Sequence, residues 1–196
     1  QAQITTTGSV GAPIYDDFES TTYTQGTNWA GNWEEQGDDG LPGSGDVTIT
    51  DTTPFAGSYH LHLQGSGRSV SRALDLRGFT APLLRLMRKL RSLEDNERFY
   101  LDFYDGIRWT TVLTWTSESD QDVYLQEAIS LSPAIPEDTA IRFRSDSSGP
   151  QVDDYLDIDQ VEVYDAVTIG VNRGAGISQH KYSEVLFSPT DEATVH

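Results

Sequence analysis

Three carboxylates stand close together near the end of the chain. In YLDIDQVEVY, residues 155–164, they are Asp157, Asp159 and Glu162. Two carboxylates on one strand face are the equipment of glycoside hydrolysis, one as nucleophile and one as acid/base. Against that role, an Asp leads the trio where a longer Glu would reach further, the flanking loops are short, and the trio sits at the end of the pattern of strands. His60 and His62 lie two apart on one strand face, a spacing that holds zinc if a third ligand joins them. No third His or acid stands near them in sequence, so the plainer reading is a pair of exposed polar residues. Trp29, Trp33, Tyr100 and Tyr104 are the candidate glycan platforms, because pyranose faces stack on aromatic rings. Tryptophan is mostly buried in folded proteins, and Trp109 and Trp115 read as core. The chain has no cysteine, which removes thiolate metal sites and cysteine nucleophiles. No nucleophile elbow and no phosphate-cradling glycine loop is present. The expectation is a protein without a catalytic site.

The elements that must position these residues are strands. Phe99, Leu101 and Phe103 alternate with Tyr100, Asp102 and Tyr104, and an Asp105-Gly106 turn leads into Trp109–Trp115. That is a β-hairpin signal. Tyr59, Leu61 and Leu63 alternate with His60, His62 and Gln64, and Ile141 and Phe143 with Arg142 and Arg144. In residues 155–164, Leu156 and Ile158 are out of phase with Val161 and Val163. One extra residue near Asp159-Gln160, a β-bulge, returns all four to the core and leaves Asp157, Asp159 and Glu162 on the opposite face. Residues 83–93, LLRLMRKLRSL, carry a helical spacing of leucines, but Pro82 and the flanking strands favour a strand. The whole pattern predicts an all-β antiparallel sandwich.

Three segments are expected: an N-terminal arm over 1–13, a jelly-roll domain over 14–165, and a C-terminal extension over 166–196. The arm ends in a Gly-Ala-Pro hinge, and the extension holds the strand-like runs Val167–Val171 and Tyr182–Phe187 joined by a glycine-rich link. Carboxylates outnumber basic side chains 31 to 13, a formal charge of -18, which argues against nucleic acid and anionic lipid as partners. No apolar run approaches the 18 or so residues of a membrane span. The chain opens at Gln1 without an initiator Met, which reads as a mature terminus left by signal-peptide removal.

The stretch from Asp16 to Tyr164 resembles the jelly-roll domains of secreted bacterial surface proteins described as MAM-like or carbohydrate-binding-module-like. DDFES at 16–20, SVSRALDLRGF at 69–79, FYDGIRWTTVLTW at 103–115, TAIRFRS at 139–145 and DDYLDIDQVEV at 153–163 carry the resemblance. It implies a structural calcium held between the first and last strands, with Asp17, Glu19 and Asp159 in the matching positions. The carboxylate trio is also similar to the Glu-x-Asp-x-x-Glu signature of laminarinase-type jelly-roll glycoside hydrolases.

Two functions fit. The first is a non-catalytic extracellular subunit of a surface filament or layer, which pairs its terminal strands with copies of itself. Strand addition to a neighbour's sheet edge builds such a polymer. The second is a calcium-stabilised carbohydrate-binding or adhesive module of the cell surface. The first is the leading expectation, because the extensions answer no need of a free-standing jelly roll.

Overall fold

Alternation of apolar and polar residues becomes two faces in every long strand. The computed structural model describes residues 3–4, 11–166 and 171–172. In chain order the short leading strands are β1 (Gln3–Ile4), β2 (Ile14–Asp16), β3 (Glu34–Gln36) and β4 (Val47–Thr50). Then come β5 (His60–Gln64), β6 (Ser69–Leu74), β7 (Pro82–Arg91), β8 (Phe99–Tyr104) and β9 (Trp109–Trp115). After a single 3-10 turn at Ser117–Ser119 follow β10 (Leu125–Ser130), β11 (Thr139–Ser145), β12 (Tyr155–Asp165) and β13 (Val171–Asn172). Residues 83–93 contribute a strand, as expected from Pro82.

Two antiparallel sheets form a jelly-roll sandwich. One runs β10-β7-β12-β5-β4, with β2 also pairing β12, and the other runs β3-β6-β11-β8-β9. Their inner faces make one core that includes Leu61, Leu63, Phe143, Leu156, Ile158, Val161 and Val163, all buried. Each such side chain contributes about 1.5–3 kcal/mol through removal from water. The bulge in β12 lies where the phase change required it: the register against β7 shifts between Asp159 and Glu162, and Gln160 takes a left-handed φ of 48°. Opposite the core, β12 turns Asp157, Asp159 and Glu162 to the outer side.

A second bulge was not anticipated. The β8–β9 register shifts between Leu101 and Asp102, pairing Leu101 with Leu113 but Asp102 with Thr111. Val112 is the extra residue. Leu113 and Trp115 therefore face inward, while Thr111 and Trp109 share the outer face with Asp102 and Tyr104. Trp109 is 38% exposed, which corrects its reading as core; Trp115 is buried.

The long loop before β4 is fastened by an inward-facing arginine. Arg72 ion-pairs with Asp16 at 2.5 Å and donates to the carbonyls of Gly31 and Gln25 at 2.7 and 2.6 Å. Asp16 also accepts from the Trp33 indole at 2.9 Å and the Phe18 amide. Burial raises the Asp16 carboxyl above its ordinary range despite these partners. A buried pair survives when its remaining donors and acceptors are satisfied, as they are here.

Strands β1 and β13 form a separate two-stranded sheet, with Gln3 opposite Asn172 and Ile4 opposite Val171. The expected strand over 182–187, the glycine-rich link, residues 167–170 and most of the arm lie outside the described residues. Among the described residues no helix is long and apolar enough to cross a membrane.

Candidate functional site

The outer face of the five-stranded sheet gathers aromatic rings and guanidinium groups into rows. Register places Tyr104 beside Trp109 and Ala140, Asp102 beside Thr111 and Arg142, and Tyr100 beside Thr114 and Arg144. The Tyr104 and Trp109 ring centroids are 5.4 Å apart. The Arg142 guanidinium lies 4.3 Å from the Trp109 centroid, and that of Arg144 lies 3.8 Å from Tyr100.

Asp102 organises both arginines. Its Oδ2 accepts from Arg142 Nη2 at 2.6 Å and from Arg144 Nε at 2.7 Å, and its Oδ1 accepts from the Thr111 hydroxyl at 2.7 Å. Burial works to raise this carboxyl, but the hydrogen bonds from Arg144, Thr111 and Arg142 outweigh it and hold the group below the usual carboxylate range. Beside the arginines, toward β3, an open depression of about 250 Å³ is lined by Gln36, Arg68, Ser69, Arg142, Arg144 and Asp146, among others. Closed small-molecule pockets start near ~300 Å³, so this is a shallow contact surface and not an enclosing cavity.

The four sequence candidates separate in space. Tyr100 and Tyr104 lie on this face, half-buried, with the Tyr100 hydroxyl donating to Asp146 at 3.1 Å. Trp33 is a correction: it is 2% exposed, packed against Phe18 and Phe143, and no sugar can reach it. Trp29 is half-buried at the sandwich edge, its indole N–H given to the Tyr15 carbonyl at 3.0 Å and Arg72 lying 4.5 Å from its ring centroid. Sequence reading missed Trp109, Arg142, Arg144 and Asp102 as a group. The alternation of Arg142 and Arg144 was visible, but the bulge that brings Trp109 to them was not.

The three carboxylates matched to calcium serve backbone amides. Both Glu19 oxygens accept from the Ser58 amide at 2.9 Å, and Asp17 accepts from the Glu19 amide. Asp159 takes the Phe55 and Ala56 amides at 3.0 and 3.1 Å, and also the Gln160 amide. Burial pushes the Asp159 carboxyl up to about 6, against those amides. Among the described residues, the sets whose metal-type donors converge are His60/His62/Asp157, Glu35/Asp38/Asp39 and Glu94/Glu97/Asp154. Asp17, Glu19 and Asp159 are not among these converging sets.

His60 and His62 depart most from expectation. His60 is fully buried, not exposed, and the His62 side chain is 19% exposed. The Tyr124 ring centroid lies 6.4 Å from that of His60, and β12 supplies the partner that was absent nearby in sequence: Asp157 Oδ1 lies 3.1 Å from His60 Nε2 and 2.7 Å from His62 Nδ1. Lys89 Nζ sits 3.0 Å from Asp157 Oδ2 and donates to Thr53 Oγ1 at 2.9 Å. Burial opposes ionisation of Asp157, yet the contacts of His60 and His62 hold its carboxyl well below the ordinary range. Glu162 pairs with Arg85 at 2.6 Å. Each carboxylate of the trio is thus buried and engaged.

No protein-family model matches the chain, and no curated protein matches its sequence. Solved structures do match in fold. A family 61 carbohydrate-binding module, solved with β-1,4-galactotriose, superposes with a TM-score of 0.54 at 11% identity, covering 75% of this chain and 92% of that one. The C-terminal family 22 carbohydrate-binding module of Clostridium thermocellum Xyn10B gives 0.51 at 15% identity, covering 83% and 95%. The chain has a carbohydrate-binding-module-like β-sandwich. At these identities the likeness extends to the fold alone.

Proposed function

We propose that this protein is a non-catalytic, secreted carbohydrate-binding module that takes a glycan chain across the outer face of its five-stranded sheet. Trp109, Tyr104 and Tyr100 supply the apolar surface for sugar rings, and Arg142, Arg144 and Gln36 supply donors and acceptors for hydroxyl groups. The observation that carries this reading is the exposed Trp109 standing in a row with Tyr104 and Arg142 beside an open depression. The fold supports it too, since the structural neighbours include a module solved with a galactose oligomer. Secretion and a surface-protein setting, MAM-like or otherwise, belong to this proposal because cell-wall polysaccharides lie outside cells.

A hydrolytic role finds little support. Asp157, Asp159 and Glu162 are buried and hydrogen-bonded or ion-paired, whereas a glycosidase presents two carboxylates to substrate in an open cleft. Self-assembly through the terminal segments is not carried forward as the main function. Strands β1 and β13 pair with each other inside one chain, and nothing else in the described residues supports that role.

The test is affinity electrophoresis against soluble galactan, xylan and β-glucan, with wild type and Trp109→Ala. Wild type should be retarded by at least one of them. The variant should lose about tenfold in affinity, equal to about 1.4 kcal/mol, with an unchanged melting temperature. Equal retardation of the two proteins would move the site elsewhere. No retardation by any polysaccharide would remove the function.

A further inference from the structure

We propose that His60, His62 and Asp157 form a binding site for a zinc-class divalent cation on the outer face of the six-stranded sheet, beneath the loop over residues 51–58. The three side chains come from two neighbouring strands. In the β5–β12 register His62 stands directly opposite Asp157, and His60 is the next outward-facing residue on β5. One donor atom from each lies within 4.8 Å of the others, with the two measured separations at 2.7 and 3.1 Å. Around a tetrahedral zinc at the usual ~2.0–2.1 Å, neighbouring ligand atoms stand about 3.3 Å apart. The two separations from Asp157 therefore need to open by no more than about 0.6 Å.

A second observation points to a missing ligand. His60 is fully buried, and neither of its ring nitrogens has a hydrogen-bond partner of good geometry; its contact with Asp157 is close but poorly aligned. A buried imidazole left in that state costs free energy, and a metal ion on its nitrogen removes the cost. Two neutral imidazoles with one carboxylate are donors that zinc favours, and calcium does not. The surroundings support the site. Lys89 holds Asp157 Oδ2 and leaves Oδ1 to the cation, in the way outer partners orient a ligating carboxylate. His62 keeps a path to solvent, and three protein ligands leave a coordination position for water. Without a metal, the buried His60 leaves Nδ1 without a partner and Nε2 with only the poorly aligned Asp157 contact at 3.1 Å.

The experiment uses the full chain, freed of metal with chelator. Zinc is titrated by calorimetry, and cobalt(II) serves as the spectroscopic probe. The expected result is one zinc per chain at this site, a melting temperature that rises with zinc but not with calcium, and visible cobalt bands of a low-coordinate nitrogen/oxygen site. His62→Ala and His62→Gln change a partly exposed side chain, and whichever melts as wild type does in chelator is taken forward. It should bind zinc at least tenfold more weakly and lose the cobalt bands. A double variant, His180→Ala with His196→Ala, removes the other histidines of the chain and should bind as wild type does. Absence of zinc uptake by wild type overturns the proposal. So does zinc uptake that survives the His62 change, or that disappears with His180 and His196.

Discussion

At the scale of single residues, Asp102 is the hinge of the candidate glycan face. Its carboxylate holds Arg142 against Trp109 and Arg144 against Tyr100, so one buried charge sets the orientation of two guanidinium groups and, through them, two rings. Because its folded-state carboxyl titrates below that of an unfolded Asp, near ~3.9, its contribution to stability is fully present above about pH 4. It is lost as the pH falls through the lower folded-state value. Asp102→Asn should therefore cost about 1–3 kcal/mol at pH 7, the scale of a lost charge-assisted hydrogen-bond set. The difference from wild type should shrink toward pH 3. Urea unfolding of both proteins at the two pH values measures this, and a pH-independent difference would show that the charge is not what Asp102 contributes.

At the scale of elements, two β-bulges decide which side chains face which way. In β12 the extra residue was legible, because Leu156 and Ile158 cannot share a face with Val161 and Val163 without it. Inserting one residue between Val161 and Glu162 should turn Val163 outward and drive Glu162 inward, since a one-residue slip flips every following side chain. The loss should exceed about 4 kcal/mol, the range of severe core disruption. An insertion variant whose chemical denaturation midpoint stays near that of wild type would mean that β12 re-registers at little cost. In β9 the bulge left no such trace. Trp109, Thr111, Leu113 and Trp115 alternate cleanly as read from the chain, and an outward Trp109 is equally compatible with their composition. Only the pairing with β8, where Leu101 meets Leu113 but Asp102 meets Thr111, shows the break.

At the scale of the whole molecule, the formal charge of -18 repels itself. Such self-repulsion weakens the compact state and is screened by salt. Raising sodium chloride from about 10 mM to about 150 mM, where the screening length falls from ~30 to ~8 Å, should raise the melting temperature. The ion pairs at Asp16, Asp102 and Asp157 are shielded from that screening by burial and should oppose the trend only slightly. A fall in melting temperature over that interval would mean that surface ion pairs outweigh net repulsion. The basic residues are also unevenly used: Arg68, Arg142 and Arg144 edge the one described depression on an otherwise acidic protein. Neutral glycans are not repelled from such a surface as nucleic acid is.

The periodicities of the sequence by themselves determined the all-β class, the Asp105-Gly106 hairpin, the core residues of β5, β11 and β12, and the first bulge; over residues 83–93 the leucine spacing was helical, and Pro82 with the flanking strands favoured a strand. These follow from local rules, because side-chain facing along one strand depends on neighbours two residues away. What only the tertiary structure decided are the meetings of residues far apart in the chain. Asp157 reaches His60 and His62 across nearly a hundred positions, and Arg142 reaches Trp109 across a strand pair whose register no single strand specifies. Burial of His60 depends on Asp157 and Tyr124 meeting it from distant parts of the chain, and burial of Trp33 depends on Arg72 and Asp16 drawing its loop inward. A side chain's exposure and its partners are properties of the surfaces that close over it. The pattern of one strand holds the direction in which a residue points, and the fold supplies what it meets there.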